Sequence, residues 1–223
     1  MLKNISVSTK GFAAFAILAF IAIIASGYIF TRVLTAAEQV ERSQVMANLL
    51  DETGNLSEHV NATNLALKNF LLTGNRDFVT GYNEASAEVD KQFSLLESLY
   101  SKHAAEESAK LNAAKSVIAD WQGSVADRQI LLMRDPMTVE LARVLELTGS
   151  GTKLLGDFDT ITNEIASDVQ ELTNVALADQ KAALTSVEFT ALAASIVVAL
   201  VAAIMGFLNF QLVSRPLGRL ADV

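Results

Sequence analysis

His59 and His103, together with a scatter of carboxylates, are the groups in this 223-residue chain with the chemistry to ligate a metal or carry a proton. Such work needs the groups to converge at recognisable spacings, such as the two helical histidines of HExxH. Here the histidines fall in separate blocks, His59 near the middle of a long helical stretch and His103 in a turn, and neither has a ligand partner at such a spacing. Cys is absent, which removes thiolate ligands and disulfides together. Gly149-Ser150-Gly151 has no strand before it, so a phosphate-cradling loop is not expected. Asn55-Leu56-Ser57 and Asn61-Ala62-Thr63 match the glycosylation sequon but lie on the apolar seam of a helix. The expectation is no catalytic residue, no metal, no cofactor and no enzyme.

Charges on apolar seams say more. Arg128 and Asp168 both fall where stepping by three and four residues places the interior of a helical bundle. A buried charge is expensive unless it is paired, solvated in a cavity or held at an interface. Lys68, Arg76, Arg128 and Arg134 gather within about two turns of one end of the expected bundle, with Asp77, Asp157 and Asp159 at similar heights. Either these charges neutralise one another, or they frame a pocket for a small anion between helices or across a dimer interface. On the second reading Lys68, Arg76, Arg128 and Asp157 are the candidate ligand-binding residues.

The elements that position these residues are legible from apolar patterning. Residues 11–31 and 189–214 carry no charged side chain and are flanked by Lys10 and Arg32, and by Glu188 and Arg215. A run of about 20 residues is long enough to cross a bilayer core. The first run is longer than the apolar core of a signal peptide, and polar Thr31-Arg32 separates it from any small-residue cleavage site, so an uncleaved anchor is expected. Lys3 and Lys10 precede the first span while Arg215 and Arg219 follow the second, which places residues 1–10 and 215–223 in the cytoplasm and 32–188 outside. Removing those four leaves 13 of the 17 basic residues in the outward segment, against 24 of the 25 acidic ones, a net charge of −11. So acidic a segment argues against nucleic acid or anionic lipid as its partner.

Four helical blocks follow in the outward segment. The first carries Met46, Leu49, Thr53, Leu56, Val60, Thr63, Leu67 and Phe70; the second Phe78, Tyr82, Ala85, Val89, Gln92, Leu96 and Leu99. The third carries Leu111, Ala114, Ile118, Trp121, Val125, Arg128 and Leu132 and must stop before Pro136. The fourth carries Leu154, Phe158, Ile161, Ile165, Asp168, Leu172 and Val175 and runs without a breaker into the second span. Residues 137–148 read as a short amphipathic cap, and Gly149-Ser150-Gly151 as a connector. The fold expected is all-α: a membrane-anchored antiparallel four-helix bundle with two transmembrane helices. Along the second span Ala191, Ser195, Ala199 and Ala203 recur at four-residue intervals, with Ala202 and Gly206 on an adjacent row, a spacing of small residues that lets helices approach closely; Ser195, Ala199, Ala203 and Gly206 are candidate relay positions.

The layout of a short basic start (MLKNISVSTK), a span, a helical domain, a second span and then RPLGRLADV resembles the front half of bacterial methyl-accepting chemotaxis proteins. Arg215-Pro216-Leu217 with Leu220 resembles the opening of a HAMP linker, and those three residues join the candidate relay positions. Leu71-Leu72-Thr73-Gly74, Arg76-Asp77, Phe78 and Tyr82, with Gly149-Ser150-Gly151-Thr152-Lys153, are similar to the pattern of the third class of CHASE sensor domains. Asp179-Gln180-Lys181 departs from that class's acidic, arginine-containing helix end. The resemblance implies a parallel homodimer in the inner membrane that senses a small molecule or a periplasmic protein and relays to cytoplasmic kinase machinery. The same front end serves sensor histidine kinases and cyclic-dinucleotide cyclases, and a free-standing two-span protein is a third possibility.

Overall fold

The computed structural model describes residues 7–211. Its long elements are α1 (Val7–Thr73), α2 (Asp77–His103), α3 (Ser108–Trp121), α4 (Asp127–Leu132), α5 (Val139–Leu147) and α6 (Ser150–Asn209). A 3-10 turn, Ala105–Glu107, enters α3, and a π turn, Gln122–Ala126, joins α3 to α4. The protein is all-α, with no strand among the described residues. Two compact units divide the chain: Arg42–Ala176, and Met1–Glu41 together with Leu177–Val223.

In the first of these units, α1, α2, α3 with α4, and α6 form a bundle. Partners run in opposite directions along neighbouring helices. Lys115 meets Glu97 at 2.6 Å and, further along α3's continuation but earlier in α2, Gln122 meets Ser86 at 2.7 Å. All eight seam residues of α1 from Met46 to Phe70 are buried. Met46, Leu49, Leu56 and Val60 pack with Phe93, Leu96, Tyr100, Leu111, Phe158 and Ile165 in one cluster, and Leu67 and Phe70 with Tyr82, Trp121, Val125 and Ala142 in a second.

Gly74 ends α1 at φ +71°, a left-handed conformation that non-glycine residues reach only at a cost. Its N–H closes on the Phe70 carbonyl at 2.8 Å, and Asn75 Oδ1 then accepts the Asp77 N–H at 3.0 Å to open α2. Gly149, at φ +77°, does the same work between α5 and α6. The connector is therefore Thr148-Gly149, not Gly149-Ser150-Gly151: α6 starts at Ser150, and Gly151 is a packing position. A Cβ there would lie 3.1 Å from Val125 Cγ1 and 3.5 Å from Trp121 Nε1.

Two seams differ from the sequence expectation. On α3 and α4 the π turn adds one residue to the helix, so the inward slot that regular stepping assigns to Arg128 goes to Gln129. Gln129 is fully buried and Arg128 is exposed. On α6 the inward stripe is Phe158, Thr162, Ile165, Val169, Thr173 and Ala176, while Leu172 and Val175 are 37% and 49% exposed and Asp168 sits at the edge. Threonine tolerates this burial because Thr162 and Thr173 return their hydroxyls to the carbonyls of Phe158 and Val169 at 3.0 and 2.7 Å.

The other unit holds the two apolar segments, each on a helix long and apolar enough to cross a membrane. Their large side chains face outward, among them Phe15, Phe20, Phe30, Phe189, Leu200 and Phe207, as suits a lipid solvent. Tyr28 and Arg32 close the first segment: the guanidinium lies 5.2 Å from the ring centroid and donates to Tyr28 Oη at 2.7 Å, an aromatic–cation pair suited to a membrane interface. The half-buried stripe of the second segment is Ala191, Ala194, Val198, Val201 and Met205, whereas Ser195, Ala199, Ala203 and Gly206 are exposed. Of the small-residue row only Ala191 lies in this stripe, and the four candidate relay positions lie outside it. Arg215, Pro216, Leu217 and the HAMP-like stretch lie outside the described residues.

Candidate ligand site

At the Gly74 end of the bundle, local chain geometry sets the side chains. The helix break at Gly74 places Arg76 just ahead of α2, so that Arg76, Val79 and Thr80 occupy its first turn. The end of α4 at Leu132 places Arg134 in the turn that Asp135 stabilises by accepting the Met137 N–H at 2.9 Å. These meet Phe70 of α1 and Ile130 of α4 around a cleft of about 420 Å³.

A second cleft of about 330 Å³ lies against α5, lined by Lys68, Leu71, Leu72, Arg143, Glu146 and Leu147. Its charges are largely spoken for. Glu146 sits 3.8 Å from Lys68 Nζ and accepts from Gln129 Nε2 at 3.2 Å. Arg143 donates to Glu140 at 2.9 Å and to the Leu71 carbonyl at 3.2 Å.

The four predicted ligand residues are therefore distributed rather than convergent. Lys68 belongs to the α5 cleft and Arg76 to the larger one; Arg128 and Asp157 line neither. Asp157 is held by Lys153, one helical turn away on α6, at 2.5 Å. Arg134, part of the basic group visible in the sequence, is the residue that joins Arg76. Thr80 and Ile130 carried no sequence signal, since the first lies off α2's apolar seam and the second is brought inward by the π turn.

The charge at the edge of α6 is paired. Asp168 bonds Lys110, which also reaches Glu107 at 3.0 Å. The Lys110 ammonium holds the Asp168 carboxyl below its ordinary range, and Asp168 first, then Glu107, raise the Lys110 ammonium. Deeper in the bundle, hydrogen bonds from Gln92 and Asn55 lower the Glu52 carboxyl, while burial raises the Tyr100 phenol. Among the described residues no group of three or more His, Cys, Asp or Glu gathers to hold a metal ion. The larger cleft sets two guanidiniums and the Thr80 hydroxyl beside the apolar Phe70, Val79 and Ile130.

A family model of the CHASE3 domain matches residues 33–179, well over half of the chain. Comparison with curated proteins and with solved structures gives no match.

Proposed function

The chain belongs to the CHASE3 domain family of helical sensor domains, and from that premise we propose that it is the sensing and membrane-crossing part of a chemotaxis receptor. The domain is an extracellular sensory module found in chemotaxis receptors, histidine kinases and cyclases, and signal sensing at a membrane fits the two candidate spanning helices. The observation that carries the reading is the arrangement itself: the sensor match lies between two apolar segments, and Arg215-Pro216-Leu217 follows the second.

In this reading residues 32–188 face outward, both termini are cytoplasmic, and the functional unit is a parallel homodimer in the inner membrane. The exposed Leu172 and Val175 on α6 and the exposed row of Ser195, Ala199, Ala203 and Gly206 support a helix-to-helix contact between two copies. A small ligand or a periplasmic protein biases two arrangements of the outer helices, and α6 carries the change to a cytoplasmic module. The protein acts as a receptor, with no catalytic step of its own and no cofactor.

Fusing residues 1–223 to a kinase-controlling cytoplasmic module tests this. A stimulus-dependent change in kinase output is expected, with single cysteines in 32–188 labelled from outside on a background free of native Cys. Labelling of that segment only after the membrane is opened would sink the topology. The alternative output, a histidine kinase or cyclase, rests on the family's occurrence in both.

A further inference from the structure

One cleft brings Arg76 and Arg134 together with Phe70, Val79, Thr80 and Ile130. The outward segment has 11 more acidic than basic residues, and Lys68, Lys91, Lys110, Lys115, Arg143 and Lys153 each have a carboxylate within 4 Å. The Arg76 and Arg134 guanidiniums have no hydrogen bond or ion pair among the described residues. Two guanidiniums without an ion-pair partner in one cleft raise its affinity for an anion, even with Asp77 in the first turn of α2 beside Arg76. Beneath them the wall is hydrocarbon: Phe70 and Ile130 are buried core residues that show one edge to the cleft, and Val79 is half-buried.

The geometry points to a binding site for a small amphipathic organic carboxylate, its carboxylate held between Arg76 and Arg134 and its compact branched or aromatic body laid on Phe70, Val79 and Ile130. Guanidinium and carboxylate match in a bidentate fork, and Thr80 supplies a neutral polar group to the same cleft. The cleft volume of about 420 Å³ lies in the range of small-molecule sites. Acetate or inorganic phosphate satisfies the arginines and leaves the apolar wall wet; a neutral isostere covers the wall and leaves the arginines unpaired. This assignment rests on the sensor reading and names the chemistry of its stimulus.

The test is calorimetric titration of the full chain in lipid nanodiscs with benzoate and 4-methylpentanoate, against acetate, inorganic phosphate and benzamide. One of the two organic carboxylates is expected to bind, with acetate and phosphate at least about tenfold weaker and benzamide without measurable heat. Arg76→Gln and Arg134→Gln should each weaken that binding about tenfold or more, while Lys153→Gln leaves it unchanged. Both arginines are exposed, so the variants should keep the parent's melting temperature, which verifies their fold. Benzamide binding as well as benzoate, binding indifferent to both arginines, or neither carboxylate binding more tightly than phosphate would overturn the assignment. A kinase fusion that answers a stimulus with both arginines replaced also refutes the site and leaves the sensor reading intact. Arginine-dependent binding of benzoate with no kinase response upholds the site and refutes the sensor reading.

Discussion

Thr53 Oγ1 of α1 and Tyr100 Oη of α2 lie 2.7 Å apart in the bundle core. Both residues are almost wholly buried, and the Thr53 hydroxyl already donates to the Leu49 carbonyl at 2.7 Å. A hydroxyl has one proton to give, so Tyr100 must be the donor between them.

That direction predicts unequal effects. Thr53→Val strips the buried Tyr100 hydroxyl of its acceptor and should destabilise by about 1–3 kcal/mol. Tyr100→Phe leaves the Thr53 proton still placed and should cost about 1 kcal/mol. Urea melts of the two single variants and the double variant measure this, and a Tyr100→Phe cost equal to or above that of Thr53→Val contradicts the donor assignment.

Arg128 and Gln129 should respond oppositely to their places in the sequence pattern. Gln129 is fully buried and donates to the Ala142 carbonyl at 3.3 Å and to Glu146 at 3.2 Å. Gln129→Ala is expected to cost about 2–4 kcal/mol, and Arg128→Ala to stay within about 0.5 kcal/mol of the parent. Thermal melts that rank Arg128→Ala as the more damaging change would show that the helix is not shifted at the π turn.

One substitution should have two signs in α1 and its turn. Gly74 holds φ +71° with open space around it, so Gly74→Ala meets backbone strain and should cost about 1–2 kcal/mol. Gly54 is an exposed helical residue with nothing within 4 Å of an added Cβ, so Gly54→Ala should stabilise by about 0.5–1 kcal/mol. Melting temperatures that fall together or rise together would contradict this.

Acid should loosen the contact between α3 and α6. Lys110 lowers the Asp168 carboxyl, so its folded value lies below its unfolded one. The stability it contributes is then present above about pH 4, the ordinary carboxylate value, and is lost as pH falls through the lowered folded value. Asp168→Asn should flatten that part of the stability–pH curve, and an unchanged curve between the variant and the parent would rule out the linkage.

The sequence showed α1 almost completely, because its buried stripe is also its most apolar one: Met46, Leu49, Leu56, Val60, Leu67 and Phe70, with Thr53 and Thr63 between them. It misplaced α6 because there the two properties separate. Thr162, Thr173 and Ala176 turn inward, while bulkier Leu172 and Val175 face out. Hydropathy cannot signal a threonine whose hydroxyl is satisfied within its own helix. The basic group near Gly74 was legible as a charge cluster, yet its division into two clefts depended on where α5 folds back and on the π turn, neither of which leaves a periodic trace.

The π turn at Gln122–Ala126 also has a meaning for insertion and deletion. It is one surplus residue absorbed as a local widening of the helix, beyond which the chain resumes with Gln129 and Ile130 inward. A chain lacking the exposed Gly123 or Ser124 can revert to plain α-helix and still keep Trp121, Val125, Ala126, Gln129 and Ile130 inward. Loss of one exposed residue, which would misalign a regular helix, is absorbed at this turn, whereas loss of Val125 or Ala126 is not.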